Sequence, residues 1–324
     1  MAKIGSIGID VGGTKTRFAL FDEKFKLLEQ VKIKTQDSKN AKDFTSAVDE
    51  SLDTLLRESE RAHLRVESVG VGCAGYLNGD GSVKNSPNIP FLNGYSFRRV
   101  IAKQTGANVF ATNDVAAALY GEHQLGAAVG RKHVIAIYIG TGIGGALMFG
   151  GQLYRGENGS AGDIGHYVLH PIDSSGSSRS RDVLDDIASR TAIAAEAVKL
   201  AAKNRAPHLL KSVGTDITNV SSGALAKVIA QGDEEIEKLV RSRCHTLGIA
   251  LSNIVDFLNP EMIVLGGGLT ESMPDLVRDE VEAGVRANSK PESKKSLEVV
   301  VAKLKDHSVT TGAAKLAFDV SLAL

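Results

Sequence analysis

A strand, a glycine turn and a second strand occur twice in this chain, about 130 residues apart. The first copy is Ile7-Gly8-Ile9-Asp10-Val11-Gly12-Gly13-Thr14-Lys15-Thr16, and the second is Tyr138-Ile139-Gly140-Thr141-Gly142-Ile143-Gly144-Gly145-Ala146-Leu147. Each opens as a short β-branched run, turns on glycines with a threonine among them, and returns to apolar strand residues. Glycines permit a turn where a side chain would clash, and they let backbone N–H groups approach phosphate oxygens. A chain that starts twice in this way is expected to build two related lobes. Two such turns facing each other would hold the phosphates of ATP from both sides.

Composition narrows the possible partners. With 324 residues, 43% hydrophobic and 23% charged, the chain can bury two cores. Lys+Arg and Asp+Glu are both 38, so no net basic charge draws it to nucleic acid. No apolar run reaches the roughly 20 residues of a membrane span. A strand begins within a few residues of Met1, so no signal peptide is expected. Cys73 and Cys244 are too few for a disulfide framework and read as small buried hydrophobes. A soluble, reduced, cytoplasmic protein follows as the expectation.

Periodicity places the elements. Strands are expected at 4–9, 16–22, 25–34, 67–72 and 108–111, and helices at 42–60, 96–105 and 114–124. Strands at 132–139, 145–149 and 152–154 repeat the opening. Helices at 183–203, 222–230 and 233–258, strands at 261–265 and 297–303, and an alanine-rich helix at 309–323 complete the pattern. Alternating strands and helices predict an α/β fold with an internal repeat. The expected division is a smaller lobe of 1–114 plus 309–324 and a larger one of 115–308. Asp173–Asp182 and Ala287–Ser296, rich in Ser with Arg or Lys, read as solvated loops.

Several positions carry candidate chemistry. Asp10 follows a buried strand, where a carboxylate is costly unless it is paired or near a cation. It reads either as an organiser of Mg²⁺ through water beside ATP phosphates or as a turn aspartate capping its own backbone. Thr14 and Thr141 can donate hydroxyls to phosphate, and Lys15 either contacts phosphate or faces solvent. Asn113-Asp114 falls where a strand meets a helix. Both residues can serve as helix caps, or Asp114 can take the proton of a substrate hydroxyl attacking a γ-phosphate while Asn113 orients the substrate. In Gly162-Asp163-Ile164-Gly165-His166, a carboxylate and an imidazole three residues apart suit hydrogen bonds to polyol hydroxyls, or a structural pair.

Five motifs, in order along the chain, resemble the ROK family (repressors, open reading frames, kinases) of the sugar kinase, actin and Hsp70 superfamily. They are Asp10-Val11-Gly12-Gly13-Thr14-Lys15, Asn113-Asp114, Gly140-Thr141-Gly142-Ile143-Gly144-Gly145, Gly162-Asp163-Ile164-Gly165-His166 and Leu265-Gly266-Gly267-Gly268. Leu153-Tyr154-Arg155-Gly156 and Ser86-Pro87-Asn88 add to the match. The resemblance implies a two-lobed, actin-like ATPase (ribonuclease H-like) fold with duplicated βββαβαβα-type lobes. It implies an ATP-dependent sugar kinase using Mg²⁺, with glucose as the best single acceptor, and a homodimer. Asp114 would be the general base. Asn113, Asp163, His166 and Asp185 would contact the sugar, with Asn88 and Gly75 nearby. Asp10, Gly12, Gly13, Thr14 and Lys15 would bind phosphate and metal, Gly140, Thr141 and Gly142 phosphate, and Gly266, Gly267 and Gly268 adenosine.

The chain also departs from the family. ROK kinases commonly bind a structural zinc through a histidine and three cysteines after the Gly-His motif. The cysteine positions fall here near Gly176, Ser178 and Val183, so no structural zinc is expected. Something other than zinc must then orient His166, such as a carboxylate or a backbone carbonyl. Two family glutamates that face the sugar are aspartates here, Asp163 and Asp185, which opens the acceptor to another hexose, a hexosamine or a polyol. A catalytically weak sugar-binding regulator is the second alternative. A DNA-binding repressor is disfavoured by the neutral charge and by the absence of a helix–turn–helix pattern before the first strand.

Overall fold

The protein is described here by a computed structural model covering residues 3–170 and 182–323. The first glycine turn joins β1 (Lys3–Val11) to the antiparallel β2 (Lys15–Phe21), and β3 (Leu27–Lys34) pairs antiparallel with β2. Half-buried and exposed residues alternate along β3, as suits an outer strand with one wet face. Helix α1 (Ala41–Arg61) starts at Asn40, whose side chain accepts the Lys42 and Asp43 N–H groups, and it buries Phe44, Val48, Leu52 and Leu55. It leads to β4 (Leu64–Cys73), parallel to β1. A small hairpin of β5 (Tyr76–Leu77) and β6 (Val83–Asn85), then α2 (Phe97–Thr105), precede β7 (Asn108–Asn113), which is parallel to β4. The sheet order is β3-β2-β1-β4-β7. Helix α3 (Asp114–Leu125) follows without a loop.

The second half repeats this plan around β8 (Val134–Ile139), β9 (Ile143–Phe149) and β10 (Gln152–Tyr154). Then come the short β11 (Val168–His170) and β12 (Asp182–Val183), and the helices α4 (Leu184–Ala188), α5 (Arg190–Ala202), α6 (Pro207–Val213), α7 (Ser222–Ala230) and α8 (Glu234–Leu258). Strand β13 (Met262–Gly266) lies parallel to β8. Helices α9 (Gly267–Ser272), α10 (Pro274–Asn288) and α11 (Pro291–Lys294) lead to β14 (Glu298–Val301), parallel to β13, and α12 (Ser308–Leu322) closes the chain. The order β10-β9-β8-β13-β14 is that of the first sheet, strand for strand.

Three sequence expectations change. The helix expected over 183–203 is two helices, because Ser189 is extended (ψ 159°) and its hydroxyl oxygen accepts the Ala192 N–H to start α5. Helix α10 occupies residues for which no element was expected. The segment Ala287–Ser296 is not a solvated loop but the end of α10 and α11, with Ser289 and Ser293 buried and Arg286 donating to the Lys294 and Leu297 carbonyls. Of the other expected loop, Asp173–Asp182, all but Asp182 lies outside the described residues. Cys73 and Cys244 are buried free thiols. Among the described residues no helix is long and apolar enough to cross a membrane.

The chain divides into two compact units: Met1–Gly130 with Ala146–Ala161 and Asp306–Leu324, and Arg131–Gly145 with Gly162–Lys305. In the first unit, α12 lies on β1 and β4 at backbone distance. Gly8 and Gly70 are register partners, and a Cβ on either would overlap a carbonyl of α12, that of Thr310 or Ala313. On the far side of α12, Gly312 meets the Ala117 carbonyl of α3 with the same closeness. Gly70→Ala is therefore expected to destabilise the protein by about 3 kcal/mol, since the obstacle is backbone that cannot step aside. Gly79→Ala, with nothing within 4 Å of a new Cβ, should stay within about 0.5 kcal/mol. Denaturant midpoints of the two variants check this, and equal midpoints would contradict it.

Candidate active site

Parallel pairing sets the candidate residues of the first unit. Asp10 of β1 is level with Gly72 of β4, which is level with Thr112 of β7, so the carboxyl ends of three strands finish together. One residue further, Val11, Cys73 and Asn113 share a row. Asn113 is the N-cap of α3, its side-chain oxygen accepting the Val115 N–H at 2.9 Å and the Ala116 N–H at 3.1 Å. Its amide nitrogen donates to the Gly75 carbonyl at 3.4 Å. Asp114 is the first residue of the helix and accepts the Val115 N–H at 2.9 Å. Asn113 is thus the helix cap and Asp114 the first helical residue, and these hydrogen bonds fix both side chains at the sheet edge.

The glycine turns bring the neighbouring loops close. Gly75 has φ +128°, and a Cβ there would lie 2.5 Å from the Asn85 carbonyl oxygen. The Ser86 hydroxyl donates to the Ala74 carbonyl at 2.6 Å, tying the Ser86-Pro87-Asn88 loop to the end of β4. Asn88 backs onto Gly13, where a Cβ would stand 3.0 Å from the Asn88 Cβ. The turn itself closes with the Gly12 N–H donating to the Lys15 carbonyl at 3.1 Å, while Thr14 and Lys15 are exposed. Asp10, Gly12, Gly13, Thr14, Gly75, Asn88, Asn113 and Asp114 therefore gather in the first unit.

Charge is unbalanced there. Arg17, register partner of Asp10, donates to it at 3.3 Å and to Asp306 at 3.0 Å. The Arg17 Nε is buried with no hydrogen-bond partner among the described residues. Burial, then the nearby Asp114 carboxylate, push the Asp10 carboxyl up to about 7, and Arg17 only partly offsets them. Burial also raises Asp114, against hydrogen bonds from Val115 and Asn113. The Cys73 thiol is driven well above its usual range by burial and by these two carboxylates, so it stays protonated.

The second unit holds its own group of candidate residues. The Gly140 N–H donates to the Gly142 carbonyl at 2.8 Å, closing the second turn. Gly266 packs on the Tyr138 ring, and Gly267, at φ +84°, allows contact with Ile139, where a Cβ would lie 2.6 Å from the carbonyl oxygen. Gly266–Gly268 thus lies directly against the strand that enters the phosphate-type turn. The Asp163 carboxylate accepts from His166 Nδ1 at 3.0 Å, which orients the imidazole. The Leu184 N–H donates to the Tyr167 carbonyl at 2.9 Å, and Val168 pairs with Val183, so Asp185 is drawn toward His166. The Asp185 carboxylate accepts the Ile143 N–H at 2.5 Å, touching the glycine turn as well. Burial raises its carboxyl, against the hydrogen bond from the Ile143 N–H and, after it, the nearby His166.

Residues 6–320 match the ROK family. The chain belongs to that family. It is 30% identical over 274 residues to a glucokinase of Thermotoga maritima, covering 84% of each chain. It is also 30% identical over 274 residues to an N-acetyl-D-glucosamine kinase of Photobacterium profundum, covering 81% of this chain and 84% of the other. A ROK family glucokinase from Streptomyces griseus, solved in complex with glucose and AMPPNP, superposes with a TM-score of 0.84 at 28% identity, covering 97% of this chain and 99% of that one. The fold is the α/β, actin-like ATPase fold of the ROK sugar kinases.

Four residues beside the candidates escaped the sequence: Arg17 and Asp306 next to Asp10, and Arg190 and Thr191, which brace the second turn. Only Arg17 left a signal, since residues equidistant from a hairpin turn face each other. Of the positions where ROK kinases carry zinc-binding cysteines, Gly176 and Ser178 lie outside the described residues, and Val183 belongs to β12.

A raised carboxyl makes stability depend on pH with a definite sign. Between about pH 4 and about pH 7 the unfolded chain has released the Asp10 proton that the folded protein keeps, so stability falls as pH rises. The slope is at most about 1.4 kcal/mol per pH unit. Denaturant midpoints in EDTA should fall across this window and fall less in Asp10→Asn. An identical slope in the variant would show that Asp10 titrates normally.

Proposed function

We propose that this ROK protein is an ATP-dependent hexose kinase, with glucose as its best acceptor. One observation carries this: Asp114, a partly buried carboxylate with raised proton affinity, is fixed beside Asn113 at the strand ends where the first glycine turn also begins. Such a group suits a base that takes the proton of a sugar hydroxyl. As that oxygen bonds to the γ-phosphorus, the bond from phosphorus to the ADP oxygen breaks and the proton passes to Asp114. Asn113, Asp163, His166 and Asp185 would hold the sugar hydroxyls, with Asn88 and Gly75 beside them. Gly12, Gly13, Thr14 and Lys15, together with Gly140, Thr141 and Gly142, would receive the phosphates, and Gly266–Gly268 the adenosine. The glucokinase relative and the glucose- and AMPPNP-bound neighbour support the reading.

Mg²⁺ fits the residues present. Asp10 and Asp114 bring two partly buried carboxyls together. Among the described residues Arg17 pairs with Asp10 and Asp306 rather than Asp114, so a hard cation with oxygen ligands would relieve the charge. Asp10 would hold the ion through water, and the ion would neutralise charge on the transferring phosphate. The reaction belongs in the cytoplasm, and the homodimer implied by the family resemblance is part of the same reading.

A second acceptor class has a specific basis. Asp163 and Asp185 are each one methylene shorter than the glutamates usual in ROK kinases, and an unpaired buried polar group costs about 1–3 kcal/mol. A hexosamine is then a natural competitor, in line with the N-acetyl-D-glucosamine kinase relative. ADP release with Mg·ATP across hexoses, hexosamines and polyols ranks the acceptors. Asp114→Asn should cut kcat by about 10²–10⁴-fold on the preferred sugar while its KM changes little. Turnover that survives in the variant would remove Asp114 as the base.

A further inference from the structure

Arg190 opens α5 directly after the break at Ser189. Its backbone N–H donates to the Gly140 carbonyl at 3.0 Å. One guanidinium nitrogen, Nη2, donates to Thr141 Oγ1 at 3.2 Å, and the other, Nη1, to the Val220 carbonyl at 3.2 Å. The hydroxyl of the next residue, Thr191, donates to the Thr141 carbonyl at 2.7 Å. The start of α5 thus grips the second glycine turn at both of its central residues.

The side chain is half-buried, and burial lowers the guanidinium's proton affinity with no carboxylate among the described residues to offset it. Arg17, Arg131 and Arg241 each pair with two carboxylates. A desolvated guanidinium without an anion is unfavourable, and only two of its five N–H groups serve Thr141 and Val220.

Polarity gives the direction of the missing contact. A guanidinium only donates, so it occupies a lone pair of the Thr141 hydroxyl and leaves that hydroxyl's own hydrogen to be given away. A phosphate oxygen only accepts. Val220 also leads into α7, where the Ser222 hydroxyl stands 3.6 Å from the position of a Cβ on Gly268. Arg190 therefore bridges the phosphate-type turn and the segment facing the Gly266–Gly268 turn. We propose that Arg190 binds the polyphosphate group of ATP and sets the Thr141 hydroxyl as a donor to it. This rests on reading Gly140–Gly142 as a phosphate turn.

Calorimetric titration of the whole protein with Mg·ATP tests it, using wild type, Arg190→Gln and Arg190→Lys, with a thermal melt of each ligand-free protein. The charge-assisted bonds at stake correspond to about a tenfold to hundredfold loss of ATP affinity in Arg190→Gln. Most of that should return in Arg190→Lys, the melting temperature should hold, and the salt dependence of binding should flatten in the Gln variant. Affinity within about twofold of wild type in Arg190→Gln, or equal loss in Gln and Lys variants, would overturn the proposal and leave Arg190 a brace of the turn. If wild type binds ATP and Arg190→Gln binds it as well, this inference alone fails. A wild-type protein that binds no ATP would take the kinase reading down with it.

Discussion

Helix α12 rests on β1 and β4 at the distance of bare backbone, and the strand ends that hold Asp10, Asn113 and Asp114 depend on that approach. Gly8 and Gly70 allow it from the sheet and Gly312 continues it toward α3. With α12 and α3 locked in this stack, the carboxyl ends of β1, β4 and β7 have one possible alignment, and Asp10, Gly75, Asn113 and Asp114 come with it. Gly72 shows how tight this is, for a Cβ there would stand 3.3 Å from the Asp114 Cα.

The electrostatics follow from the packing. Parallel strands ending in one row put two partly buried carboxylates close together, with Arg17 paired to Asp10 and shared with Asp306. The result is a site that raises the proton affinity of its acids and is receptive to positive charge. The second unit uses carboxylates differently. Asp163 is engaged with His166, and Asp185 reaches from beside that pair to the Ile143 N–H of the glycine turn. The neighbourhood of the Asp163–His166 pair and the second glycine turn are thus connected by one side chain. Shortening it from the family's glutamate therefore bears on both.

Much of this was legible in the sequence, for physical reasons. Period-2 and period-3.6 patterns revealed nearly every long strand and helix, and the repeated glycine turn implied the repeated sheet order. The candidate residues of each unit do gather, because most lie at a strand end, at a helix start or in the turn or loop beside one. What stayed hidden depends on contacts that spacing does not encode. Arg190 meets Thr141 from 49 residues away. The break at Ser189 rests on one hydroxyl cap, and helix α10 keeps its apolar stripe of Val277, Val281 and Val285 among many charges. The carboxylate that orients His166 was present in the motif itself, but only folded geometry selects Asp163.

The central claim is that phosphorus moves from ATP to a sugar oxygen and not to water. ³¹P NMR of the protein with Mg·ATP and glucose, followed over time, tests this most directly. A phosphomonoester resonance rising in step with ADP, with inorganic phosphate flat, is the result this account predicts. Growth of inorganic phosphate alone, across glucose and the hexosamines, would show an ATPase and contradict it.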